Sequence, residues 1–162
     1  MLSFLKHVFS FILPVTVLIL VPLSIERRFA VEIDIAFLAG DFLLAAGVTG
    51  FVICVIMLGR IGRGTLAPWS PTRKLVISGP YAYVRNPMIS SVLTILVSES
   101  LIFHSSPIAW WAFIFFIINN VYFMLSEEPG LRNRFGEDYT EYKKHVPRWL
   151  PRTTPWNPSI SD

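Results

Sequence analysis

Cysteine is nearly absent from this chain. There is one, Cys54, among 162 residues, so no intrachain disulfide and no cysteine-built metal site can form. Histidine is almost as scarce. His7, His104 and His145 fall on separate segments without ligand spacing, and no metal partner is expected. Glycine-rich nucleotide loops are missing too, with no P-loop, no Gly-x-Gly-x-x-Gly and no Gly-x-Ser-x-Gly elbow. Charge is sparse, at 15% against 53% hydrophobic residues, a balance that excludes an ordinary soluble domain of this size. The net charge of +3 reflects mainly one loop that is otherwise Gly, Pro and apolar, a poor footprint for nucleic acid.

What is abundant is apolar sequence in long blocks, approximately residues 2–25, 35–59, 88–103 and 108–125. A helix needs about 20 apolar residues to cross about 30 Å of hydrocarbon, and the second and fourth blocks meet this. The first carries Pro14 and Pro22, which kink a membrane helix without forbidding it. The third is short and contains Glu99. Lys6 and His7 near the start of the first block, followed by an apolar run, would suit a signal peptide, but no small-residue cleavage site follows, so the block reads as a retained helix. The expected fold is all-α: one polytopic membrane domain over residues 1–162 with about four transmembrane helices and a C-terminal amphipathic cytoplasmic helix in the tail 129–152.

Charge sets the expected orientation. Loop 60–87 holds Arg60, Arg63, Arg73, Lys74 and Arg85 and no acid, which places it in the cytoplasm. With four spans both termini are then cytoplasmic. Arg27 and Arg28 on the other side are balanced by Glu26, Glu32 and Asp34.

Loop 60–87 is punctuated by Gly and Pro too often for a long helix, leaving backbone groups to face a ligand. Asn86 precedes Pro87, which suits the first turn of the third span. That helix start, with Arg85 beside it, either binds a carboxylate or phosphate or merely lets Arg85 snorkel to lipid phosphates. Glu127 and Glu128 precede Pro129. With Pro129 opening a new helix they would cap its N-terminus; seen from the fourth span they stand at a C-terminus and attract a cation. Glu99 costs about 2.5–3.5 kcal/mol at mid-span, so it is expected to face the bundle interior, be protonated or lie shallow near the outer face, as interhelical glue more than a catalyst, with Asn119 and Asn120 as candidate partners and Ser98 and Ser100 flanking it. Past Pro129, Leu131, Phe135, Tyr139, Tyr142 and Val146 share one helical face, expected to pack on the cytoplasmic ends of the spans or on the membrane interface. Residues 146–152 are expected to lie extended at headgroup depth, and the chain from there to Asp162 to lack fixed structure.

Three motifs then stand in order: Gly-Pro-Tyr-Ala-Tyr-Val-Arg-Asn-Pro-Met at 79–88, Glu-Glu-Pro-x-Leu-x-x-x-Phe-Gly-x-x-Tyr-x-x-Tyr at 127–142, and Val-Pro-Arg-Trp-Leu-Pro at 146–151. Together they resemble the isoprenylcysteine carboxyl methyltransferase and phospholipid methyltransferase superfamily, particularly its short bacterial members, over about residues 62–152. The resemblance implies an S-adenosylmethionine-dependent enzyme, a multi-pass protein of a bacterial inner membrane, acting on a lipid or lipidated small substrate. Carried over by position, it implies cofactor contacts at Arg73, Lys74, Leu75, Val76, Tyr81, Asn86, Pro87, Met88, Ile89 and Glu127, with Arg85 and Glu128 in catalysis.

The chain departs from its relatives at Asn86 and Ile89, where many carry His and Tyr. It departs more seriously at Phe123, where the isoprenylcysteine enzymes place a substrate-binding arginine. Arg85, Arg132 and Arg134 are the candidates to replace it. Sulfonium chemistry needs alignment and water exclusion more than covalent help. A carboxylate acceptor needs no base, whereas an amine would need one, for which Glu128 is the candidate and Glu99 a remote one. The expected activity is methyl transfer at the cytoplasmic membrane face, isoprenylcysteine carboxyl O-methyltransferase-like. The alternatives are phospholipid amine N-methylation, a sterol-reductase-like enzyme using NADPH, or a non-enzymatic membrane scaffold.

Overall fold

A computed structural model describes residues 12–157 except 28, 30, 63–71 and 73. The start of the first apolar block, Arg63 and Arg73 therefore lie outside the described residues. Those described form helices and irregular segments, with no strand among them. Helix α1 covers Ile12–Ile25, α2 Ile35–Arg60, α3 Pro87–Ile102, α4 Ser106–Tyr122 and α5 Glu128–His145. A 3₁₀ turn, Gly79–Ala82, precedes α3. Helix α2 and the helical run Ser106–His145, kinked at Gly136, are long and apolar enough to cross a bilayer, while α1 and α3 are shorter apolar helices.

The tightest packing is between α2 and α3, and small residues permit it. A Cβ placed on Gly40 would stand 2.8 Å from Ile102 Cγ1 and 3.0 Å from the Ser98 carbonyl. One placed on Gly47 would stand 2.8 Å from Ile95 Cγ1 and 3.1 Å from the Ser91 carbonyl. The seam rises through α2 as it descends through α3, so the two helices are antiparallel. Cys54, two turns beyond Gly47, continues it into a cluster with Val76, Tyr81 and Met88. Such small-residue seams let backbones approach where lipid gives no hydrophobic drive for association.

Two helical stretches widen to π geometry, at Thr16–Leu20 and Phe123–Glu127. Each ends two residues before a proline, Pro22 and Pro129 respectively. A proline ring clashes with the carbonyl four residues back and lacks an N–H to bond it. Opening the turn to i→i+5 bonding, with Val21 N–H on the Thr16 carbonyl and Glu128 N–H on the Phe123 carbonyl, absorbs the misfit without a break.

This corrects the expected boundary after residue 125. Pro129 does not open a separate helix, because Glu127 has helical angles (φ −70°, ψ −49°) and the chain runs on to His145. Glu127 and Glu128 thus cap no free helix end. The interruption comes later, at Gly136 (φ 55°, ψ −122°), a conformation that glycine tolerates.

At one end of the bundle, Asp34 caps α2 by accepting the Phe37 N–H at 2.8 Å and meets His104 Nε2 at 3.1 Å. Ser105 caps α4 by accepting the Ile108 N–H at 3.3 Å and donates to Glu26. At the other end the tail is ordered well past Arg152, contrary to expectation. Arg85 N–H bonds the Pro147 carbonyl, Arg152 N–H the Tyr83 carbonyl and Trp156 N–H the Ala82 carbonyl, at 2.9, 3.0 and 2.9 Å. Trp156 also stacks on His145 at 5.3 Å. Residues 146–157 therefore form a strap across the 3₁₀ turn.

Candidate active site

The face Leu131, Phe135, Tyr139, Tyr142 and Val146 forms a cluster, and Leu75, Ile77 and Trp156 pack against it. The amphipathic helix thus lies on the described end of loop 60–87. Tyr142 locks the contact, its hydroxyl donating to the Tyr81 carbonyl at 2.7 Å.

Arg85 projects into this region at the junction of strap, loop and α5. Its Nη1 donates to Glu128 Oε1 at 2.9 Å and to the Tyr139 hydroxyl at 3.3 Å. Glu128 is the hub of the network. Its Oε1 also receives Arg148 Nε at 2.8 Å and its Oε2 receives Lys143 Nζ at 2.6 Å. Burial pushes the Glu128 carboxyl up, but the Lys143, Arg85 and Arg148 cations outweigh it and hold the group below the usual glutamate range. A carboxylate shared by three cations is a weak base.

Arg148 continues the network to Asn120 Oδ1 at 3.0 Å, which Trp149 Nε1 also meets at 3.2 Å. Neither Lys143 nor Arg148 was assigned a role from sequence. The signal was present in the Val-Pro-Arg-Trp-Leu-Pro run, but nothing in one dimension links it to Glu128.

Glu127 behaves differently. It is half-buried, and its carboxylate accepts no hydrogen bond among the described residues. Burial pushes its carboxyl up; the Arg134 charge opposes this and the Glu128 charge adds to it. Tyr81 is buried nearby, and burial raises its phenol, with Cys54, Tyr142 and Glu127 contributing. The two adjacent acids are therefore divided, one saturated and one accepting no hydrogen bond among the described residues. One buried donor of this network is left over: Arg85 Nε is buried and has no hydrogen-bond partner among the described residues, on a side chain only 10% exposed. A buried orphan donor costs about 1–3 kcal/mol.

The remaining expected contacts are spread around this centre. Val76, Tyr81 and Met88 pack with Cys54, and Leu75 packs on the tyrosine cluster. Pro87 is buried at the first turn of α3, behind Asn86, whose side chain caps nothing. Ile89 is half-buried on α3 and Lys74 is exposed. Of the candidate substitute arginines, Arg132 is exposed, and Arg134 donates to the Thr72 and Gly130 carbonyls at 3.1 and 3.3 Å.

Phe123 is only 4% exposed and packs edge-on to Trp149, with ring centroids 5.8 Å apart, while Phe116 lies 5.0 Å from the same indole. Asn119 and Asn120 do not meet Glu99: Asn119 bonds the Phe115 carbonyl and Asn120 serves Arg148 and Trp149. The turn after α3 folds α4 back antiparallel. Asn120 therefore lies 14 residues, roughly 20 Å of helix rise, from the end near which Glu99 sits.

The sequence profile of the phospholipid methyltransferase family matches residues 35–138. An uncharacterized protein of Haemophilus influenzae is 39% identical over 64 residues, covering 39% of this chain and 100% of that protein. No solved structure matches.

Proposed function

Because the chain belongs to the phospholipid methyltransferase family, we propose that it transfers a methyl group from S-adenosylmethionine to a lipophilic acceptor at the cytoplasmic face of the membrane. In this reading α1, α2, α3 and α4 are four spans, loop 60–87, the tail 129–152 and both termini are cytoplasmic, and the Arg85–Glu128 end is the cofactor end. The observation that carries it is the buried Arg85 Nε without a hydrogen-bond partner among the described residues, together with a half-buried Glu127 carboxylate that accepts no hydrogen bond from them. Glu127 offers a carboxylate to the cofactor's ammonium, and Arg85 Nε offers a donor to its carboxylate. Bound S-adenosylmethionine supplies an activated methyl sulfonium.

The chain's own residues orient and dry the site. Glu128 holds Arg85, Lys143 and Arg148 together, so that strap, α5 and the α3 start move as one. Leu75, Val76, Tyr81, Pro87, Met88 and Ile89 supply apolar wall, and Asn86 and Lys74 polar edge. Exclusion of water strengthens every charge contact inside.

Phe123 favours an amine acceptor over a prenylcysteine carboxylate. A buried phenyl ring against Trp149 cannot bind a carboxylate, and the nearby guanidinium of Arg148 is committed to Glu128 and Asn120. An amine must lose a proton before attack. Glu128, saturated by three cations, is a poor base for that step, and Glu127 is engaged by the cofactor, so the acceptor enters as its free amine, the proton having passed to water.

Incubating membranes with methyl-tritiated S-adenosylmethionine, with and without this protein, tests the reading. Label is expected in the extractable lipid fraction as methylated amine headgroup. Alkali-labile label on protein would indicate carboxyl methylation instead, and no protein-dependent label would overturn the proposal.

A further inference from the structure

Each π turn ends two residues before a proline, and that spacing frees one carbonyl. In α1 the Val21 N–H bonds the Thr16 carbonyl, so it no longer serves Val17 as the i+4 donor. The i+5 residue is Pro22, which has no N–H. The Val17 carbonyl is thereby left without a donor in its own helix. Trp111 of α4 supplies one, its Nε1 donating to that oxygen at 3.1 Å. A backbone carbonyl at membrane depth must be met in some such way.

The second turn repeats the arrangement residue for residue. The Glu128 N–H bonds the Phe123 carbonyl, and Pro129 stands at i+5 from Met124, so the Met124 carbonyl is the counterpart of Val17. Here no described residue takes the part of Trp111. The side-chain amides about one turn back are spent elsewhere, Asn120 Nδ2 on the Met124 sulfur at 3.9 Å and Asn119 Nδ2 on the Phe115 carbonyl at 2.8 Å. A helical carbonyl points along the axis toward the residue four on, so the Met124 oxygen opens at the level of Glu127 and Glu128. Glu128 is saturated by its cations, whereas Glu127 is not. Among the described residues, two acceptors therefore stand without donors within one turn of one helix.

We propose that the Met124 carbonyl is a second acceptor for the cofactor's ammonium, beside the Glu127 carboxylate. The inference rests on the methyltransferase reading above and adds a main-chain contact to it. A primary ammonium carries three N–H donors, more than one half-buried carboxylate takes, and one of them meets this carbonyl as the indole meets Val17. Pro129 is then a positioning residue, which keeps the acceptor free by having no N–H to offer it.

Infrared spectroscopy of the full chain in detergent, with methionine isotopically labelled at the carbonyl carbon, tests this. The chain has four methionines, and the Met124 band is assigned by its absence from Met124→Leu. Adding S-adenosylmethionine is expected to move that band to lower frequency, the mark of a carbonyl gaining a hydrogen bond. A sulfonium analogue lacking the amino group should bind and leave the band in place. Pro129→Ala gives the Met124 carbonyl an i+5 donor. It should weaken cofactor binding about tenfold, the scale of one charge-assisted hydrogen bond, in the Glu127→Gln background as well as in the parent. A band unmoved by bound cofactor, a band moved equally by the analogue, or a Pro129→Ala effect that vanishes in Glu127→Gln would overturn the proposal and leave the methyltransferase reading standing. Absence of cofactor binding by the folded parent would overturn that reading and this inference with it.

Discussion

At the residue scale, the division of labour between Glu127 and Glu128 is the main result. Adjacent helical residues point about 100° apart, so two acids in a row cannot share one environment. Glu128 falls on the side where Arg85, Lys143 and Arg148 converge, and Glu127 on the side of Tyr81. That a charged pair mattered was legible in the sequence. Which member was saturated was not, because Lys143 and Arg148 reach it only through the folding of α5 and the strap. Glu128→Gln should cost about 3 kcal/mol of stability, the scale for breaking a buried ion pair by removing one partner, seen as a lower melting temperature. The pH dependence has a definite sign. Glu128's folded value is depressed, so its contribution is complete above the unfolded value of about 4.3 and is lost as pH falls through the folded value. The stability gap between parent and Glu128→Gln should therefore close in acid; a gap that widened there would contradict the network. Glu127 has the opposite shift. Its carboxyl is raised, so binding of a cationic ligand there should weaken on acidification earlier than an ordinary glutamate would require, readable by titrating S-adenosylmethionine at several pH values.

At the element scale, the four apolar blocks were visible because their lengths and limits are written in hydropathy, and helix ends fell close to expectation at Ile35–Arg60 and Pro87–Ile102. The π turns were not visible. Proline reads as a breaker or an N1 residue, and only the three-dimensional path shows that Pro22 and Pro129 are absorbed by widening the preceding turn. This widening also sets the rotational phase of Glu127 and Glu128. Pro129→Ala removes the cause, and the turn is expected to relax toward regular α-helix, weakening S-adenosylmethionine binding with little loss of thermal stability. Undiminished affinity would show that the π turn has no part in aiming Glu127. The α2–α3 seam makes a separate prediction. Gly47→Val would drive a side chain into Ile95 and the Ser91 carbonyl, and overpacking of this kind costs about 1–3 kcal/mol. A melting temperature equal to the parent's would argue against the seam.

At the scale of the whole molecule, the two ends of the bundle differ in character. One is held by Asp34, His104, Ser105 and Glu26, the other by the strap and the Glu128 network. The misplaced Asn119 and Asn120 illustrate what sequence distance hides: Glu99 lies three residues before the end of α3 and Asn120 lies 14 residues into α4, so the turn between them leaves the two at opposite ends, and register chooses partners. The strap was equally hidden, because a Pro- and Trp-rich tail carries no periodicity, yet its backbone bonds to Ala82, Tyr83 and Arg85 make it part of the site. The decisive measurement is S-adenosylmethionine binding by calorimetry to the purified parent and to Glu127→Gln, with melting temperatures recorded for both. The parent should bind, and Glu127→Gln should lose affinity at least about tenfold, one charge-assisted contact, while melting like the parent. Equal affinity in the two proteins, or no binding by a folded parent, would contradict the assignment of Glu127 to the cofactor's ammonium.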